Sequence, residues 1–507
     1  MAPSPIVNWG EIQPHLKWHI LSRQKRFSLW VLYTSVGSLM LGYDYGVSGT
    51  CTVLPEFQEQ YGVPFPSQPS GFLIPASYQA GWAGSACAGL TLGTILAGYT
   101  LDSIGRKHTV AVGGFLATLG IVMQVVSRDW DLFLIGRLVN AIGFGTVFLQ
   151  SPVWIGENAR PELRGFFLCV INCSIVLGQF ILSIVANVGS AIEGKWSYMT
   201  VLLFQFVFIA RESLCRIHGS SDEALINAEM NRIAESVRVS NAVQESVASK
   251  GSLLRQCFQD SNKKRTLIAI LAVAGQQFIG AAFVLGYVTY FLSLIGVKQY
   301  FTVSVVLYVV MFLSNLFAFV AIETCGRRKL LLPGIFILTG VLLIMGIMGC
   351  LHTPAATWVV IVCIFIWAIA YESTIGAVGF ALGSEVAPLP LRAKVQGLVG
   401  IIQGVFGWVV GFISPYMINP DAGNLGAKVG FVFAGLGVPI CIAFWIWIPE
   451  TKGLNFEEID YLFGANVDCR KFPEAIEARR AATGAVNEGA AFPLKETDRA
   501  QTDINVA

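Results

Sequence analysis

The sequence predicts an all-α membrane protein whose twelve transmembrane helices form two pseudo-symmetric bundles of six, with the sixth helix abnormally short. Three observations carry this expectation: a composition too apolar for water, apolar runs of membrane-crossing length, and charged patterns that recur at a fixed interval. Of 507 residues, 54% are hydrophobic and 13% charged, where an ordinary soluble domain carries about 25% charged residues. The 34 Phe, 12 Trp and 52 Gly suit a chain solvated by lipid, in which helices tolerate Gly and interfaces collect Trp. A formal charge of +2 supplies no global field to recruit nucleic acid.

Roughly 20 apolar residues cross a bilayer. On that measure the first six spans run from Phe27 to Cys51, Tyr78 to Leu101, Thr109 to Val126, Leu132 to Trp154, Phe166 to Ala186 and Tyr198 to Ala210. The second six run from Leu267 to Ile295, Phe301 to Ile322, Leu330 to Gly349, Trp358 to Leu382, Val395 to Ile418 and Val429 to Ile448. The domains expected are an N-tail (1–26), a first bundle (27–210), a polar linker with short helices (211–265), a second bundle (266–448) and a C-tail (449–507). The C-tail is expected to be disordered beyond Phe463, being rich in Ala and charged residues. At about 1.5 Å per residue the sixth span is only about 20 Å long, short of a hydrocarbon core about 30 Å thick. Local thinning of the bilayer, or recruitment of Trp196 and Cys215, would let it cross.

Positive residues test the topology, because they stay preferentially on the cytoplasmic side. With this arrangement 29 Lys and Arg lie on one side, only Arg128, Lys195, Lys298 and Lys428 lie on the other, and Arg137 is within a span. Both termini are thereby expected in the cytoplasm, and the first helix is read as retained rather than as a cleaved signal peptide.

Nothing in the chain has the pattern of an enzyme. The 11 Cys form no CxxC pair and no zinc spacing, so apolar packing is their expected role. His15 and His19 lie in the polar tail, where a solvated face outweighs a metal site. No metal or cofactor is expected.

The charged patterns carry more. After the second span stands Asp102-Ser-Ile-Gly-Arg106-Lys107, and after the eighth Glu323-Thr-Cys-Gly-Arg327-Arg328-Lys329. A second pair, Glu157 with Arg164 and Glu385 with Arg392, repeats after 228 residues. This is the mark of an internal duplication. These charges sit where helices leave the bilayer, so carboxylates facing guanidinium groups of the other half are expected to form a gate at the cytoplasmic side.

With Gly42-Tyr-Asp44-Tyr-Gly-Val, Gly136-Arg137, Pro152 through Glu157 to Arg164-Gly165, Gln276-Gln277-Phe-Ile-Gly280, Leu391-Arg392-Ala-Lys394 and Pro449-Glu450-Thr-Lys-Gly453, the chain resembles a sugar porter of the major facilitator superfamily. It is most similar to fungal α-glucoside and hexose:proton symporters. The resemblance implies a central site between two bundles that opens alternately to each side, a plasma-membrane location and a monomer.

Asp44 and Arg137 are ionisable residues inside spans, where each alone costs about 2.5–3.5 kcal/mol on the insertion scale. They are therefore expected to face a cavity and each other. In the proton-coupled porters the matching Asp takes up the proton and the matching Arg is its partner; a static structural pair is the bland alternative. By the same resemblance the sugar-binding candidates are Asn172, Gln276, Gln277, Tyr287 and Phe380; Gln179, seven residues after Asn172, falls on nearly the same helix face, and Asn315, Gln403 and Trp408 are weaker additions. Amides also hold membrane helices together, so a structural role competes at each position.

Departures from the family pattern qualify these expectations. Hexose porters carry Asn and Tyr where this chain has Ala282 and Gly286, which brings it nearer the α-glucoside branch. Ala377 replaces the usual proline after Gly376, so the break in the tenth helix is expected to be weakened. Glu372 is an intramembrane acid, a candidate second proton or substrate site or a group facing a polar crevice. The leading functional reading is sugar:proton symport. A sugar sensor with the porter fold, disfavoured by the absence of a repeated motif in the tail, and a transport-impaired copy with a truncated sixth helix are the alternatives.

Overall fold

In a computed structural model, residue 21, residues 24–206 and residues 253–479 are described, apart from 67–69, 160, 193, 352, 389–390, 453 and 455. The first half comprises α1 (Lys25–Thr34), α2 (Val36–Cys51), α3 (Pro55–Tyr61), α4 (Ala76–Ser103), α5 (Gly105–Val126), α6 (Trp130–Asn158), α7 (Pro161–Gly189) and α8 (Trp196–Leu203). After the short α9 (Leu253–Gln256), the second half comprises α10 (Asp260–Phe278), α11 (Ala281–Leu294), α12 (Tyr300–Cys325), α13 (Arg327–Met348), α14 (Pro354–Ser373), α15 (Ile375–Val386), α16 (Arg392–Ile418) and α17 (Val429–Trp447). A further helix, α18 (Phe456–Gly464), follows.

Among the described residues, ten helical stretches are long and apolar enough to cross a membrane. The first span is not among them because Ser35 divides it into α1 and α2, yet backbone bonds from Ser35 to Val31 and from Leu39 to Ser35 carry the helix across the division. α8 falls in the expected sixth span, whose remaining residues, 207–210, lie outside the described residues, as does most of the expected linker. Leu92, Ile95, Phe115 and Phe317 are exposed on the outer faces, as lipid-covered positions of a membrane protein are.

Spans seven and ten are each broken in two. Gly280, at φ 84°, separates α10 from α11, a left-handed conformation that glycine adopts without a Cβ penalty. The tenth span breaks at Thr374, φ −125° and ψ −96°. Its hydroxyl donates to the Ala370 carbonyl at 2.6 Å, and its side chain fills the space a Cβ would need at Gly334. The expectation that Ala377 weakens this break is corrected: packing of Thr374 onto a glycine of α13 makes the break without proline.

Helix neighbours repeat between the halves. The second span packs on the fourth and the eighth on the tenth; the third packs on the sixth and the ninth on the twelfth. Between the halves, α2 meets α11, α4 meets α16 and α7 meets α12. These are the first and seventh, second and eleventh, and fifth and eighth spans, a set that maps onto itself when each span is exchanged for the one six places away. The duplicated loops therefore belong to a structural two-fold.

Two features lie beyond the sequence reading. The first loop folds into α3 and a small hairpin pairing β1 (Val63–Pro64) with β2 (Phe72–Leu73). The disorder expected beyond Phe463 is corrected as far as residue 479: a 3-10 turn spans Cys469–Lys471, and Phe472 is buried against the Phe463 ring at 5.1 Å. Apolar contact orders a segment whose composition alone suggested none.

Candidate functional site

The two halves close on each other at the end remote from the basic loops. A Cβ at Gly49 of α2 would lie 2.0 Å from the Gly286 carbonyl oxygen of α11, so only glycine permits this crossing. Beside it Gln79 Nε2 donates to Asn419 Oδ1 at 3.2 Å, Asn419 Nδ2 donates to the Ile74 carbonyl at 3.0 Å, and the Ala76 amide donates to Asp421 Oδ2 at 3.0 Å. Tyr290 donates to Asn419 as well. Toward the basic end there is open space beside Gly98 of α4 and beside Gly397 and Gly400 of α16.

Beneath this seal two cavities adjoin. The larger has about 770 Å³ of open space, part of it continuous with solvent, and its wall includes Asn172, Gln179, Gln276, Gln277, Glu372 and Gln403. The smaller, about 560 Å³, is lined by Asp44, Arg137, Ser48 and Tyr287. Leu41, Tyr45, Cys87 and Leu90 border both. Small-molecule sites are concave, largely apolar and carry a few convergent polar groups; amides contributed by α7, α10 and α16 meet that description.

Asp44 and Arg137 form an ion pair, 4% and 1% exposed. Arg137 Nη2 also reaches the Asp44 carbonyl at 3.4 Å, and Asn140 Nδ2 donates to Asp44 Oδ1 at 3.2 Å. Two buried charges that neutralise each other and open onto a cavity are the arrangement expected from the sequence. Asn140 was not singled out there, although it stands one helical turn after Arg137 and so shares its face.

The sugar-binding candidates divide. Among the described residues, Gln179 is 1% exposed with no partner for either amide atom, and Gln277 Oε1 is likewise buried and unpaired. Buried polar atoms nearly always find partners, so these three amide atoms are free for a bound molecule or water. Gln276 instead spends its Nε2 on the Ile375 carbonyl at 2.8 Å, beside the break in the tenth span. Asn172 Nδ2 and Asn315 Nδ2 both donate to Glu372 Oε2, each at 3.0 Å. Tyr287 belongs to the smaller cavity and to the seal, its hydroxyl 3.5 Å from the Gln79 carbonyl. Trp408 is a correction: 43% exposed, it packs at a tilt against Phe412 and covers Gly84 of α4, apart from both cavity walls. The reason is rotational, since Gln403 and Trp408 are five positions apart and point to different sides of α16. Phe380 lies on α15, its side chain outside the described residues.

Of the expected gate, Arg327 and Glu385 meet in a two-pronged pair, Nη2 to Oε1 at 2.7 Å and Nε to Oε2 at 3.1 Å. Thr451 Oγ1 donates to Glu385 at 2.7 Å, and Glu450 accepts from the Arg327 and Arg328 amides at 2.9 and 3.2 Å, capping α13. Both partners of this pair belong to the second half, so it is a contact within one half. It braces the ends of α13, α15 and α17 together. Side chains of Asp102, Arg106, Glu157, Arg164, Glu323 and Arg392 lie outside the described residues.

Comparison with known proteins completes the picture. A family model described as "Sugar (and other) transporter" matches residues 30–463. Among curated relatives, the MFS transporter fmqE of Aspergillus fumigatus is 27% identical, covering 94% of this chain and 92% of that protein. The High glucose sensor RGT2 of Saccharomyces cerevisiae is 26% identical over 94% of this chain and 65% of its own length. The General alpha-glucoside permease of Saccharomyces cerevisiae is 25% identical, covering 90% and 78%. A solved structure of the proton:xylose symporter XylE bound to 6-bromo-6-deoxy-D-glucose superposes with TM-score 0.69 at 18% identity, over 85% of this chain and 98% of that one. The last likeness shows the major facilitator fold.

Proposed function

Because the chain belongs to the sugar (and other) transporter family, we propose that it carries a sugar together with a proton across the plasma membrane by alternating access, both termini facing the cytoplasm. The observation that carries this reading is the Asp44–Arg137 pair on the wall of a cavity that adjoins the amide-lined one. A carboxylate held by a guanidinium stays charged, and separating the two favours its protonation. Both residues belong to the first half, so a rearrangement of α2 against α6 that parts the pair as the cavity opens would link proton uptake to the exposure of the solute cavity. The unpaired amide of Gln179 and the unpaired Oε1 of Gln277 suit the hydroxyl groups of a mono- or disaccharide, and aromatic Tyr45 and Tyr371 on the same wall suit its ring faces.

Uptake of radiolabelled maltose and glucose, with and without a protonophore, tests this. Accumulation abolished by the protonophore is the expected result; accumulation indifferent to it removes the symport. A sensing role is the second reading, favoured by the likeness to a glucose sensor, and absence of uptake of either sugar by correctly localised protein would select it.

A further inference from the structure

Glu372 is a second carboxylate inside the membrane core, and it differs from Asp44 in its company. Asp44 has a guanidinium beside it, whereas Glu372, 1% exposed, makes no ion pair among the described residues. Its hydrogen bonds come from two neutral amides, Asn172 of α7 and Asn315 of α12, both to Oε2. Oε1 has no protein partner among the described residues. The titratable groups facing it are Cys173 from α7 and Tyr371 on its own helix, with Tyr45 from α2 on the same cavity wall. None of them is a cation. The membrane stretch of α13 carries no titratable residue beyond Lys329.

A buried charge balanced only by amide dipoles is expensive, and the ordinary outcome is that the group becomes neutral. We propose that Glu372 is a second proton-carrying group, seated in the solute cavity itself and separate from the Asp44–Arg137 pair. Water on the open side supplies a proton to Oε1, giving the neutral acid, while Oε2 keeps both amide bonds. The new O–H donates to an oxygen of the bound solute. When the cavity opens to the opposite side, water takes the proton back and the carboxylate re-forms, so no other bond is made or broken. Placement makes this proton mechanically relevant. Asn172 belongs to the first half, Glu372 and Asn315 to the second, and the helix breaks at Thr374, two residues on. The charge that a proton removes is therefore on the contact that joins the halves, next to a hinge.

Proton binding itself does not depend on which solute is carried; only its part in the cycle rests on the transport reading. Infrared spectroscopy of the full-length protein in liposomes, titrated across the neutral range with and without carbon-13-labelled glutamate, reads the carbonyl stretch of protonated side chains. The expected result is a titrating band that shifts with labelled glutamate, disappears in Glu372→Gln and survives in Asp44→Asn. In Glu372→Asp it should respond to labelled aspartate instead, which guards against loss of the band through misfolding. Absence of any titrating glutamate band in the wild type, or its persistence in Glu372→Gln, overturns the proposal. Where a solute is transported, Glu372→Gln should halve the protons carried per solute. An unchanged ratio overturns the role in the cycle, and a protein that moves no sugar but shows the band refutes the transport reading alone.

Discussion

Asn140 Nδ2 donates to Gln205 Oε1 at 3.1 Å while the same nitrogen donates to Asp44 Oδ1 at 3.2 Å. Gln205 stands just past α8, in the sixth span, and is 1% exposed. The part of the chain that looks most defective in sequence is thus wired to the buried ion pair. Replacing Gln205 by Leu should leave Asn140 short of one acceptor and destabilise the fold by about 1–3 kcal/mol, the cost of a buried donor deprived of its partner. Thermal unfolding of the purified variant in detergent measures this; an unchanged midpoint would mean that the sixth span does not support the pair.

Asp44→Asn removes the charge that Arg137 holds. Accumulation of sugar against a gradient should vanish while exchange of labelled for unlabelled sugar across proteoliposomes persists, because exchange needs the alternating cavity but no net proton flux. Undiminished accumulation would mean that the pair is only structural.

Gln179→Ala deletes two amide atoms that have no partner among the described residues. The variant should lose about 1 kcal/mol of solute binding, roughly a fivefold rise in KM, with an unfolding midpoint equal to or above that of the wild type. A helix-gluing amide predicts the reverse: a lowered midpoint and unchanged KM.

Gly49→Ala places a methyl group where the Gly286 carbonyl stands 2.0 Å away. The seal between α2 and α11 should then be held apart. Cys87, which lines both cavities, should react faster with a membrane-impermeant thiol reagent applied from the outside, and its removal by Cys87→Ser should abolish the difference.

Composition, apolar run length and the 228-residue repeat are properties of the chain in one dimension, and lipid solvation turns them directly into helices, spans and two-fold architecture. Asp44 and Arg137 were legible for the same reason: two opposite charges within spans have few ways to avoid lipid other than meeting. The contributions of Asn140, Gln205 and Thr374, the confinement of the Arg327–Glu385 brace to one half, and the displacement of Trp408 from the cavity depended on rotation and contact between helices far apart in sequence. No single-span pattern records those contacts. In the same way, sequence marked Glu372 as an acid within a span, and only the packing of α7 and α12 around it surrounded that acid with amides and left it with no cation among the described residues.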